Sequence, residues 1–171
     1  MSTYTLISSQ VLGSSAASVT FSSIPSTYKD LILKTSIRDD LSGTLSGLMT
    51  VQFSGDSATN YSGTLVDSNA GNATSARRSN DASVRLSYFG INSTGSTSNT
   101  FSSAELYLPN YNSTTSKPLQ SDIVVEQNDS TNYVVEARAA LWRNTSAISS
   151  ILCSLTTGNF VAGSSFYLYG V

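Results

Sequence analysis

The sequence predicts an all-β fold: an antiparallel β-sandwich, jelly-roll-like, of about nine or ten strands, in a single domain over residues 1–171. Three observations carry this expectation. Apolar residues recur at period two along most of the chain, as they do when successive side chains of a strand point to opposite faces and one face meets a core. Turn-forming residues such as Gly13, Pro25, Gly43, Gly55, Gly90, Pro109 and Gly163 separate those runs. No repeat of solenoid or propeller period runs through the chain, and a high strand number favours a jelly roll among sandwiches.

In chain order, Thr3 to Ser8 and Ser18 to Ile24 read as the first two strands. From Asp30 to Arg38, Leu31, Leu33, Thr35 and Ile37 form one face and mostly polar residues the other. Met49, Val51 and Phe53 alternate with Thr50 and Gln52, and Val84, Leu86 and Tyr88 with Arg85 and Ser87. Leu106 and Leu108 flank Tyr107, and Ser121 to Gln127 continues the pattern. Tyr133 to Trp142 sets Tyr133, Val135, Ala137, Ala139 and Leu141 against Val134, Glu136, Arg138, Ala140 and Trp142. Ile148, Ile151, Leu152 and Leu155 fit a helical spacing, but the intervening Ser and Thr are poor helix formers, so a strand is favoured. Phe166 to Val171 closes the chain as the last strand.

Composition excludes much chemistry. The 171 residues include no histidine, one cysteine and 20 charged side chains, while Ser, Thr and Asn fill 66 positions. A Ser-His-Asp triad, a Cys-His pair and a His-ligated metal are therefore impossible within one chain. Gly55-Asp56-Ser57 resembles the surroundings of some nucleophilic serines but lacks a base and reads as a turn. Asp39-Asp40 lacks the spaced ligands of a calcium loop, and no phosphate-binding loop or dinucleotide fingerprint is present. Glu126 and Glu136 read as outward strand residues, Trp142 as packing, and Cys153 as a buried core residue. We expect a non-enzyme without cofactor or metal. Nine cations against eleven anions give no basic footprint for nucleic acid. The first residues lack the form of a signal peptide and no apolar run is long enough for a membrane helix, so neither secretion nor a membrane partner is expected. Six N-x-S/T sequons are close to what a Ser/Thr-rich chain yields by chance.

Gly55 to Asn80 shows little periodicity and reads as a long loop, a place where partner contacts concentrate. Its Tyr61, Leu65, Val66, Arg77 and Arg78 offer an aromatic anchor, apolar contact and charge-assisted hydrogen bonds to a neighbouring chain. Asn92 to Thr100 and Pro109 to Pro118 are further candidate loops, the latter contributing Tyr111.

Tyr4-Thr-Leu-Ile-Ser-Ser, Phe21-Ser-Ser-Ile-Pro25-Ser-Thr-Tyr28-Lys-Asp-Leu31, Phe53-Ser-Gly-Asp56-Ser-Ala-Thr-Asn60-Tyr61 and the closing Gly158-Asn-Phe160-Val-Ala-Gly163-Ser-Ser-Phe166-Tyr-Leu168-Tyr-Gly170-Val171 extend over nearly the whole chain. Together they resemble small virion structural proteins of tailed bacteriophages, particularly marine and cyanobacterial ones. The resemblance implies a β-sandwich assembled in the host cytoplasm into the virion. There it would act as a capsid decoration or cement protein, a trimer bridging subunits of the major capsid protein. The alternative it leaves is a tail-fibre module that adheres to cell-surface glycans.

Overall fold

Period-two burial organises the chain. The computed structural model describes residues 3–171, and among them every regular element is a strand. Ten strands occupy the alternating segments: β1 (Thr5–Val11), β2 (Ser18–Phe21), β3 (Leu31–Ile37), β5 (Met49–Phe53), β8 (Val84–Arg85), β10 (Ser102–Leu108), β11 (Lys117–Val125), β12 (Val134–Trp142), β13 (Ile151–Leu155) and β14 (Ser165–Gly170). Four more bring the number to fourteen rather than nine or ten: β4 (Leu45–Ser46), β6 (Tyr61–Asn69), β7 (Asn72–Asp81) and β9 (Ile91–Asn92). β4 and β9 are two-residue strands paired with one another.

The long β6–β7 hairpin corrects the expectation of a loop from Gly55 to Asn80. Its turn is Ala70-Gly71, both at positive φ (49° and 81°), the conformation of a two-residue hairpin loop matched to strand twist. Alanine in a position that favours Asn, Asp or Gly hides this turn from a sequence reading. β7 hides as well, because it is a polar edge strand whose inward positions are Asn72, Thr74, Ala76 and Arg78.

Apart from the β4–β9 pair, the strands form two sheets, ordered β1-β14-β3-β10-β11-β12-β6-β7 and β2-β13-β5-β8, with antiparallel pairing throughout. The chain passes from β2 in the small sheet to β3 in the large one, back to β5, across to the β6–β7 hairpin, back to β8, across to β12 and back to β13. That alternation is jelly-roll topology. The β10–β11 hairpin is inserted between β3 and β12, and β14 and β1 extend the large sheet beyond β3.

Between the sheets lies one contiguous core. From the large sheet, Leu31, Leu33 and Ile37 of β3, Leu106 and Leu108 of β10, and Ile123 and Val125 of β11 face Val19 and Phe21 of β2, Met49, Val51 and Phe53 of β5, and Ile151 and Cys153 of β13. β13 forms as a strand because its buried residues follow period two, Ile151 and Cys153, whereas the helical spacing would require Leu152 to share their face. Burial pushes the Cys153 thiol up to about 12, so it is packing, not a nucleophile.

At one end of the core Phe53, Tyr61 and Trp142 cluster, with ring centroids 5.6 to 6.4 Å apart. Ser54-Gly55, also both at positive φ, turns the chain after β5 and brings Asp56 back over this cluster. At the other polar end, Glu136 and Arg138 of β12 point inward and pair at 2.5 Å, and Tyr88 N donates to Glu136. Glu136 is thus buried, not outward. β8, at the edge of the small sheet, and the residues that follow it to Tyr88 meet β12 here, and polar residues fill the inner side.

Candidate functional site

The outer face of the eight-stranded sheet carries the chain's exposed apolar surface. Cross-strand partners share a face, so the registers define three rows that run the full width of the sheet. One reads Leu6, Tyr169, Ile32, Tyr107, Gln120, Ala139, Thr64, Arg77. The next reads Ser9, Tyr167, Lys34, Glu105, Asp122, Ala137, Val66, Ser75. The third reads Val11, Ser165, Ser36, Ser103, Val124, Val135, Ser68, Ala73. Among the described residues, seven large hydrophobic side chains are exposed, and six of them, Tyr4, Leu6, Val11, Val66, Val124 and Val135, belong to this face. Tyr88 is the exception.

The face has two chemically distinct halves. Over β11, β12 and β6, Val66 (60% exposed), Val135 (57%) and Val124 (40%) surround Ala137. Because Ala137 and Ala139 are small and their neighbours Thr64, Val66, Gln120 and Asp122 are larger, a gutter of about 480 Å³ runs along β12. Over β1, β14, β3 and β10, four tyrosines replace the valines. Tyr4 meets Tyr169 edge to face at 6.1 Å, and Lys34 Nζ stands 5.5 Å from the Tyr4 ring centroid. These three line a notch of about 340 Å³. Tyr107 donates to Asp30 Oδ2 at 2.8 Å, which fixes its ring over Ile32.

Charge on this face is sparse and balanced. Lys34 pairs with Glu105 at 3.0 Å, and the hydrogen bond to Glu105 raises the lysine above its ordinary pKa. Both ends are solvated, so the pair contributes little to stability. Asp122, opposite Glu105, has its carboxyl raised by burial and by that neighbouring acid.

The residues expected from the sequence to make partner contacts separate. Tyr61 is fully buried at the start of β6, where its hydroxyl donates to Asp56 O and accepts from Phe53 N. Leu65 is inward and 2% exposed, and Tyr111 is buried with its hydroxyl bonded to Pro25 O. These three are core, not loop contacts. Arg77 and Arg78 are adjacent on β7 and therefore point to opposite faces. Arg78 turns inward to Asp81 at 2.6 Å, whereas Arg77 donates to Thr64 Oγ1 on the outer face. Only Val66 and Arg77 share the exposed surface. The Asn92–Thr100 loop is tied down by Arg38, whose guanidinium donates to the carbonyls of Thr94, Ser96, Thr97 and Thr100. The tyrosine half was not anticipated, although the Phe166-Tyr167-Leu168-Tyr169 alternation places both tyrosines on one face.

Groups with catalytic potential are engaged structurally. Asp56 accepts from Trp142, Asn60, Asn144 and Ala58 N. Lys117 is buried above Trp142 with its ammonium on the carbonyls of Thr115, Asn144 and Ser146, so it does not serve Ser57 as a base. Asp40 accepts from the backbone and side chain of Asn159. Among the described residues no three His, Cys, Asp or Glu side chains gather as a metal site. Compared with known proteins, the chain matches no protein-family model and no curated protein. What the geometry offers is a broad, partly apolar exposed face.

Proposed function

We propose that this chain is a non-catalytic structural protein of a tailed-phage virion, a decoration or cement protein that seats on the outer surface of the capsid. The observation that carries the reading is the concentration of exposed apolar side chains on one sheet face in a chain that otherwise buries them. Exposed apolar patches of this kind mark protein contacts. The jelly roll, a fold common in capsid proteins, and the resemblance to virion proteins support the same reading, the fold as an analogy only. The partner is the major capsid protein, assembly takes place in the host cytoplasm, and the cement is a trimer at local threefold positions. Contacts of modest strength, repeated over several capsid subunits, hold it by multivalency.

The contact surface is the valine half: Val66, Val124 and Val135 around Ala137, with Arg77 at its β7 border. Co-sedimentation with purified capsids tests it. Wild-type protein is expected to pellet with intact capsids, and Val66→Asp with Val135→Asp to lower occupancy at least tenfold while the fold is kept. Binding to isolated tails in place of capsids would move the protein to the tail-fibre station. Unchanged capsid binding in the double variant would withdraw the contact surface.

A further inference from the structure

We propose that the tyrosine half of the outer face is a second recognition site, for an uncharged polysaccharide. It is built from Tyr4, Tyr167 and Tyr169 with Lys34 and Glu105.

The rings are placed to stack on a ligand. Tyr4 is 57% exposed, and its ring stands at 81° to that of Tyr169, so the two form the walls of an open notch with Lys34 as the third side. The edge-to-face contact and the lysine over Tyr4 hold the rings before any ligand arrives, which reduces the ordering cost of binding. Tyr167 lies one row further along β14, in line with Lys34, so aromatic surface continues beyond the notch. Tyrosine combines an apolar ring, suited to the C–H face of a sugar, with a hydroxyl that bonds the sugar's own.

The polar groups among the rings select against charged ligands. Lys34 is compensated by Glu105, and its ammonium already stands over one face of Tyr4. An anion would meet Glu105 and Asp122 beside the lysine. A hydroxyl-rich neutral chain suits the mixture: Lys34 donates, Glu105 accepts, and the tyrosine hydroxyls do both. The notch is shallow and open, so it fits a segment of a polymer better than an enclosed small molecule.

The two halves of the face are free to act separately. Each strand step in a twisted sheet turns by about 20°, so the five steps from β14 to β6 rotate the outer surface by roughly 100°. A molecule seated through its valine half therefore directs its tyrosine half elsewhere.

Affinity electrophoresis of the full chain through native gels containing mannan, dextran or xyloglucan tests the site. Retardation is expected in at least one of these gels. Tyr4→Ala and Tyr169→Ala are each expected to weaken it at least tenfold, and Arg77→Ala, on the other half, to leave it unchanged. Tyr4 is half-exposed and lies outside the strands, so its variant keeps the fold if Tyr169→Ala does not. No retardation in any of the three gels overturns the site, as does equal retardation of Tyr4→Ala and wild type. Binding of a proline-rich peptide by the same tyrosines, with no retardation by polysaccharide, would assign the notch to protein recognition instead. Capsid co-sedimentation of Tyr4→Ala is expected to match wild type. Its loss would place the tyrosines in the capsid contact and overturn their assignment to sugar.

Discussion

The indole Nε1 of Trp142 donates a 2.8 Å hydrogen bond to Asp56 Oδ2, joining the end of β12 to the turn after β5 across 86 residues of sequence. Trp142 is fully buried, so its one donor needs a partner, and Asp56 supplies it while also accepting from Asn60, Asn144 and Ala58 N. The motif that looks like a nucleophile turn in sequence is thus a structural hub.

Asp56→Ala is expected to cost about 2 kcal/mol, the scale of charged hydrogen bonds, and to lower the melting temperature by about 4–8 °C. The effect depends on pH in a known direction. The Asn60 amide, then Trp142 and its other donors, hold the Asp56 carboxyl down from 3.8 to about 2. Its contribution is present above pH 3.8 and lost as pH falls through about 2, so the gap between wild type and variant should close there. Thermal melts from pH 2 to 7 check this.

Asp39 behaves in the opposite sense. It is fully buried, Oδ1 accepts from Leu41 N, and Oδ2 has no hydrogen-bond partner among the described residues. Burial raises its carboxyl above the usual range. Below the unfolded value of 3.8 both states are neutral, and as pH rises past it the unfolded chain ionises more readily, so stability is lost. Asp39→Asn is expected to raise the melting temperature at pH 7 by a few degrees and to give no advantage near pH 3. A gap that stays constant across pH would place the effect in packing. With no histidine, any steep change in wild-type stability between pH 6 and 7.5 must come from carboxyls of this buried kind or from the N-terminal amine.

Arg138→Ala is expected to cost about 3–5 kcal/mol, because it leaves Glu136 buried and uncompensated. Burial already pushes the Glu136 carboxyl up, against the pull of Arg138. Replacing both residues by apolar side chains of similar volume should restore much of the loss. Urea unfolding of the single and double variants separates the two outcomes.

Gly170→Ala should destabilise by about 1–3 kcal/mol, since a Cβ at Gly170 would come within 2.5 Å of ring atoms of Tyr28. Tyr28→Ala in the same chain is expected to relieve most of that cost. Additive losses in the double variant, measured by thermal melts, would refute the contact.

Val66→Asp and Val135→Asp, being exposed on the outer face, should leave the melting temperature within about 2 °C of wild type while reducing capsid association. A large stability loss would mean that the valines pack against something within the chain.

Local sequence determined the class of fold. Alternation at Leu31, Leu33, Thr35 and Ile37, or from Val134 to Trp142, is a property of neighbouring residues, and strands follow from it because a strand turns each successive side chain over. Ten of the fourteen strands among the described residues were legible for that reason, and the aromatic and β-branched residues among them foretold a shared core. What alternation lacks is a sign. It says that Glu136 and Arg138 oppose Val135 and Ala137, not which pair meets solvent, and at this end the outward pair is the apolar one because polar residues line the inner side of β12. It is silent for β7, whose polar residues receive their structure from pairing with β6. Tertiary structure alone decided that Tyr61 and Tyr111 are core and that Tyr4, Lys34 and Tyr169 meet. Those relationships depend on register between strands remote in sequence, and register is fixed by the packing of the whole sheet on its core.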